Sequence, residues 1–214
     1  MAMETQGVRI TRASSVTSTL STTYDITSSS ISAAGVTFTS AYSTGMFVAT
    51  TDNTALQCLK TVAATVMTIH GTFPTTGSTA RKLTGYTMGL VGEITDFTGP
   101  GGQAAVIDIT SIQSTAKEKL IGIRDEGQVS MSLNFSPTDA GQIGLRDDRD
   151  NRTRNKYAIR LTDVATGSSA LPSWCYFNGY CLTFSISGAV DNKITANTVL
   201  EIDGPVIWST KVDE

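Results

Sequence analysis

The stretch Gly127-Gln128-Val129-Ser130-Met131-Ser132-Leu133-Asn134-Phe135 decides the fold class. In an extended chain, Val129, Met131, Leu133 and Phe135 fall on one side, and Gln128, Ser130, Ser132 and Asn134 on the other. A helix would scatter the same residues around its axis. Clean alternation with one apolar and one hydroxyl- or amide-bearing face marks a strand of an antiparallel sheet, packed on one side and wet on the other.

The next four residues, Ser136-Pro137-Thr138-Asp139, predict a helix start. Ser136 is placed as N-cap, Pro137 at the first helical position and an acid in the first turn. Ala140, Ile143 and Leu145 supply an apolar side as far as about Asp148. Residues 146–156 then hold five cations and three anions, a run read as a solvated loop or helix end, with a binding role as the alternative.

Strand signals flank this centre on both sides. Residues 88–97 alternate and stop at Gly99-Pro100-Gly101-Gly102, a strong turn signal. Residues 104–110 read as the next strand, and Lys117-Glu118-Lys119-Leu120 as a polar turn or a single helical turn. Downstream, strands are expected over 157–163, over 174–188 with a bend at Gly179, and over 194–204, with a short extension at 206–209. The turn at 188–192 makes the 174–188 and 194–204 strands an antiparallel hairpin. One short helix among six to eight strands predicts a mainly β protein: an antiparallel β-sandwich or partly closed barrel with one short flanking α-helix.

The first third differs in chemistry. Residues 1–80 carry six charged side chains and 31 Ser and Thr, whereas the other 29 charges lie in 81–214. Residues 14–32 hold too few apolar side chains to pack a core alone, so residues 1–34 are expected as an extended arm or edge region ordering against something else. Residues 35–87 are expected as a further β-rich segment of the same domain, and 88–214 as its core. Within that segment Val36 and Phe38 pair with 46–48 across a turn at Ser43-Thr44-Gly45, and 55–69 reads as a short helix or turn followed by a strand ending near Gly71.

Composition excludes several functions. Of 214 residues, 56 are Ser or Thr and 35 are charged, with a net charge of -3. The resulting pI of about 5.2 gives no cationic footprint for capturing phosphate backbones. The start, Met1-Ala2-Met3-Glu4-Thr5, shows no basic region followed by an apolar one, and no stretch reaches 18 apolar residues. A soluble, cytoplasmically made chain without a membrane anchor is the expectation. Cys58, Cys175 and Cys181 form neither a disulfide framework nor a zinc pattern and are expected as buried, unreactive thiols. His70 is the single imidazole, and no sequence signal sets a nucleophile or orienting acid beside it. The 99–102 turn lacks the Lys-Ser/Thr of a phosphate loop, and Asp147, Asp148 and Asp150 lack the closing Glu of a calcium loop. No enzyme activity and no catalytic, metal or cofactor site is expected.

Five segments occur in a telling order: Gly99-Pro100-Gly101-Gly102, Ile107-Asp108-Ile109-Thr110, Ser114-Thr115-Ala116-Lys117-Glu118, Gly122-Ile123-Arg124-Asp125-Glu126-Gly127 and Asn134-Phe135-Ser136-Pro137. Together with the closing strand Leu182-Thr183-Phe184-Ser185-Ile186-Ser187-Gly188, they resemble the tail tube (major tail) proteins of long-tailed bacteriophages over residues 88–209. The resemblance implies a virion structural protein that assembles as hexameric rings, stacked into a hollow tube through which the genome passes. It further implies strands shared between neighbouring subunits in a continuous inner barrel. Partners implied are further copies of the chain, tape-measure and tail-terminator or tail-tip proteins, and DNA that passes without specific binding. Asp108, Thr110, Lys117, Glu118, Asp125 and Gly127 are the positions expected to set inter-subunit geometry, with Arg146 and Arg149 from the charged run. Gly127 also reads simply as a turn glycine with positive φ. A head-decoration or fibre-like adhesion module is the alternative, and a ligand-binding β-barrel a third reading.

Overall fold

A computed structural model describes residues 8–27, 30–33, 37–40, 42, 47–50, 57–69, 77–163 and 172–209. In chain order the strands are β1 (Arg9–Ile26), β2 (Ser30–Ser32), β3 (Phe47–Thr50), β4 (Gln57–Val62), β5 (Val66–Ile69), β6 (Gly77–Leu90), β7 (Ile94–Thr98), β8 (Gln103–Asp108), β9 (Lys119–Asp125), β10 (Gln128–Asn134), β11 (Arg154–Arg160), β12 (Trp174–Ser187), β13 (Thr195–Ile202) and β14 (Ile207–Ser209). The α-helix, α1 (Ala140–Asp150), lies between β10 and β11. All strand pairings are antiparallel, giving the expected mainly β architecture with one short helix.

The main sheet runs β2-β5-β4-β3-β6-β1-β11-β12-β13-β10-β7, and β8 and β9 form a separate two-stranded sheet. Two cores lie along the main sheet. The larger gathers Val129, Met131 and Leu133 of β10 with Leu145 of α1, Tyr157, Phe177, Phe184 and Leu200. Burying each such side chain contributes about 1.5–3 kcal/mol, so the alternation that marks β10 in sequence is also what fixes its register. The second core holds Ile26, Ile31, Phe38, Leu59, Met67 and Leu83. Around it the pairings run in a circuit through β1, β2, β5, β4, β3 and β6, while the path from β11 to β7 stays open.

β1 joins the two cores. Its first residues pair with β11 on one side, Thr11 to Ile26 pair with β6 on the other, and its last two pair with β2. The segment read from sequence as an arm or edge is thus a long strand over Arg9–Ile26 that pairs with β6 from Thr11 onward; its other side is covered by β11 at Arg9–Arg12 and by β2 at Asp25–Ile26, and between them it is an edge, as the sequence reading expects.

Four local expectations are corrected. The helix begins at Ala140 with Asp139 as its N-cap, three residues after the predicted Ser136; Asp139 accepts from the Gln142 N–H at 2.8 Å. Residues 136–139 form a turn instead, held by the Gln142 side chain, which accepts from Ser136 N–H and donates to the carbonyls of Asn134 and Gly92. Asp caps as well as Ser, and Pro137 suits the second position of such a turn. Residues 57–69 are two strands, β4 and β5, and no helix; the helical spacing of Leu59 and Ala63 gives way to sheet pairing, with Leu59, Met67 and Ile69 turned inward. Phe38 belongs to a 3-10 turn (Phe38–Ser40), and β3 pairs with β4 and β6 rather than with Phe38, while Val36 lies outside the described residues. Residues 43–46, 55, 56 and 70–71, where parts of these expectations fall, lie outside the described residues. Finally, the irregularity in β12 lies between Cys181 and Thr183, not at Gly179, whose missing Cβ instead admits the Glu201 carbonyl.

Cys175 and Cys181 are buried. Burial, with Glu126 adding to it, pushes the Cys175 thiol up to about 12, and burial raises Cys181 and Tyr157 as well. A folded pKa above the unfolded one means that the unfolded chain loses protons first as pH rises. Stability is therefore expected to be flat below the ordinary thiol range of about 8.5 and to fall as pH climbs toward 12. Denaturant titrations at pH 7 and 10.5 should show this slope, and Cys175→Ala should reduce it; an equal slope in the variant would remove Cys175 as its source.

Candidate assembly interface

Among the described residues, three surfaces besides the unpaired side of β1 are left unfinished by the subunit's own packing. The first is the β8–β9 hairpin. Val106 pairs with Ile121 and Ile107 with Leu120, and since neighbouring residues of a strand point oppositely, the two pairs occupy opposite faces. Their exposures are 61, 79, 51 and 54%, and Ile112 at the tip and Ile123 near the root are almost fully exposed. None of these side chains belongs to a core cluster. A lone two-stranded hairpin with aliphatics on both faces is marginal in water, so this one needs covering from two sides.

The second surface is the pair of edges bounding β7-β10-β13-β12. Phe135 N–H donates to Ile194 O, and Ile202 N–H donates to Gly127 O, so the odd-numbered residues of β10 and the even-numbered residues of β13 bond to each other. Glu201, Val199, Asn197 and Thr195 must then face β12, where Val199, Asn197 and Thr195 meet Thr183, Ser185 and Ser187. Phe184 and Ile186 between them point their peptide groups away from β13. β11 pairs with β12 only up to Tyr180, so these groups form an open edge. On the far side Ser130 and Ser132 bond to Thr98 and Asp96 of β7, which leaves the peptide groups of Phe97 on the opposite open edge.

The third is the sheet's wet face. In register across it lie Asp96, Ser132, Asn197 and Ser185, then Thr98, Ser130, Val199 and Thr183, then Gln128 and Glu201. Ser132 Oγ donates to Asn197 Oδ1 at 2.8 Å, and Gln128 Nε2 to Glu201 Oε2 at 2.6 Å. The ionisable side chains that β7, β10 and β13 give to these rows are Asp96 and Glu201, both acidic; Tyr180 of β12 and Arg154 of β11 continue the row of Glu201.

The sequence-predicted interface residues divide among these elements. Asp108, Thr110, Lys117 and Glu118 sit at the tip end of the β8–β9 hairpin. Asp108 Oδ1 accepts from the Thr110 hydroxyl at 2.6 Å and its amide at 2.9 Å, which hold its carboxyl below the usual range. The Thr110 hydroxyl in turn accepts from Glu118 N–H. Asp125 and Gly127 sit at the root: Gly127 has φ +72°, as a turn glycine, and donates its N–H to Asp125 Oδ1. Arg146 and Arg149 are on α1, away from the hairpin, and Arg149 Nη1 reaches Phe184 O at 2.9 Å. The exposed aliphatics of β8 and β9 were missed because Val106, Ile107, Leu120 and Ile121 look like core residues in sequence.

A family model described as phage tail tube, TTP, lambda-like matches residues 72–212. The chain belongs to the lambda-like phage tail tube family. A further similarity, 24% identity over 131 residues covering 54% of this chain and 80% of the relative, is to "Structural protein 3" of Pseudomonas phage PAJU2. The tail tube protein is accordingly a non-enzymatic structural component of the phage tail, hence of the virion. The family match includes β6 to β14 and leaves out β1, although β1 pairs with β6 and β11 in the same sheet. Among the described residues no group of three His, Cys, Asp or Glu is placed to hold a metal, and no helix is long and apolar enough to cross a membrane. His70 lies outside the described residues.

Proposed function

We propose that the tail tube protein assembles with copies of itself as closed rings, six subunits in number as its family resemblance implies, and that the rings stack into a conduit for the genome. The observation that carries this reading is the β7-β10-β13-β12 sheet with its two open edges. Successive strands alternate in direction, so the β7 of one copy laid beside the β12 of the next continues the antiparallel order. Phe97 on one edge and Phe184 and Ile186 on the other offer outward N–H and C=O groups to be joined. Repeating one such head-to-tail contact closes a ring and leaves no strand edge free to aggregate. The wet face, with hydroxyls, amides and two carboxylates, then borders the channel, where phosphates are repelled rather than held.

In this reading the β8–β9 hairpin reaches neighbouring subunits, and Asp108, Thr110, Lys117, Glu118, Asp125 and Gly127 shape its ends. Tape-measure and tail-terminator or tail-tip proteins are the further partners, met at the tube's bore and ends.

Ile186→Pro tests the edge. Its N–H faces outward, so proline removes no bond within the subunit, as expected of an edge position. The full chain is expected to form hollow tubes by negative stain, and the variant to stay monomeric with an unchanged melting temperature. Tubes of normal length from the variant would overturn the edge pairing, and trimers or monomers alone from the unaltered chain would instead favour a decoration or adhesion module.

A further inference from the structure

Arg149 sits where an incoming strand would have to bond. Phe184 O is one of the outward acceptors on the β12 edge, and Arg149 Nη1 occupies it at 2.9 Å. A neighbouring strand bonds by placing an N–H at about 2.9 Å from that same oxygen, with its backbone some 4.8 Å away, so strand and guanidinium compete for one position. The arginine is also held in readiness for release. Its Nε and Nη2 bond Asp150 Oδ1 at 2.9 and 2.7 Å, contacts that do not depend on the edge. Its placement in the last turn of α1 suits the negative end of the helix dipole whether or not Phe184 is engaged.

We infer that Arg149 is an edge guard: in the free subunit it caps the β12 edge with a cation, and ring closure by a second copy displaces it. Charged side chains at an edge are a general means of keeping sheets from pairing prematurely. The occupant is a second copy of this chain, because the outward peptide groups at Phe97 continue the strand order that β12 leaves unfinished. The consequence is a subunit that stays unassembled at low concentration and pairs once a neighbour's strand replaces a single charge-assisted bond. This inference rests on the ring reading, and it adds that the β12 edge is masked before assembly.

The test compares the full-length chain with Arg149→Ala and Arg149→Lys. For each, the concentration at which tubes appear is measured by sedimentation and negative stain, and amide exchange at Phe184 and Ile186 is followed. Arg149→Ala is expected to assemble at a roughly tenfold lower concentration, the equivalent of about 1.4 kcal/mol. Arg149→Lys, which cannot hold Asp150 and the carbonyl together, is expected to shift in the same direction by less. Both edge amides should be protected in every tube. An unchanged or raised assembly concentration in Arg149→Ala, with melting temperature unaltered, overturns the guard and leaves the ring reading standing. Tubes in which Phe184 and Ile186 exchange freely overturn the edge pairing itself.

Discussion

Replacing Leu120 and Ile121 together by aspartate is expected to leave a subunit that melts like the unaltered protein and forms no tubes. The two residues lie on opposite faces of the β8–β9 hairpin, at 54 and 79% exposure, and neither contributes to a core. Folding therefore loses little. Assembly loses the burial of two aliphatics, about 1.5–3 kcal/mol each. It also gains two carboxylates that an apolar cover would strip of water. Even the smaller loss lowers the association constant more than a hundredfold per contact. Sedimentation velocity and negative stain read the assembly, and thermal melting reads the fold. Normal tubes from the double variant would show that the hairpin's aliphatic faces are not covered in the tail.

The largest expected effect on stability comes from Asp148→Ala. Asp148 is 4% exposed and accepts four different donors' worth of contact. Arg12 Nε and Nη2 reach it at 3.0 and 2.7 Å, Asn155 Nδ2 at 3.0 and 3.1 Å, and the Tyr157 hydroxyl at 3.0 Å. These donors come from β1 and β11, so the carboxylate ties the helix to both strands. Arg12 also lies over Gly144, where a Cβ would collide with its guanidinium. Removing the carboxylate leaves a largely buried guanidinium uncompensated, which costs about 3–5 kcal/mol. For a chain of this size that is a fall in melting temperature of roughly 10 °C. Asp148→Asn, which keeps the shape and an acceptor, should cost less. A loss under about 1 kcal/mol in the alanine variant would mean that β1 is held by its ladder alone.

Sequence made different parts of this network legible to different degrees. Residues 146–156 read as a solvated charged run, and for Arg152 and Asp150 that is correct. Asp148 and Arg12 stand 136 residues apart, and no local pattern signals that they meet. The same holds for Arg149, whose notice as an interface residue came from charge density and not from the carbonyl it reaches. The hairpin was legible as motifs and turns, and its direction of projection was not. Val106-Ile107 and Leu120-Ile121 are apolar runs of the kind that fill cores, and only the folded subunit shows them exposed.

By itself the sequence determined the strands with clear period-2 alternation, the closing hairpin, one short helix and the family. These depend on neighbours a few residues apart, whose side chains face together or apart by backbone geometry alone. Tertiary structure decided that β1 pairs with β6 along most of its length and with β11 and β2 at its ends, that α1 is capped by Asp139, that Asp148 is a buried hub, and which peptide groups of β7 and β12 are left over. Those are outcomes of pairing between distant segments, where the same alternation fits an inner strand and an edge alike. Only the completed ladder shows which hydrogen bonds the subunit satisfies alone and which it leaves for its neighbour.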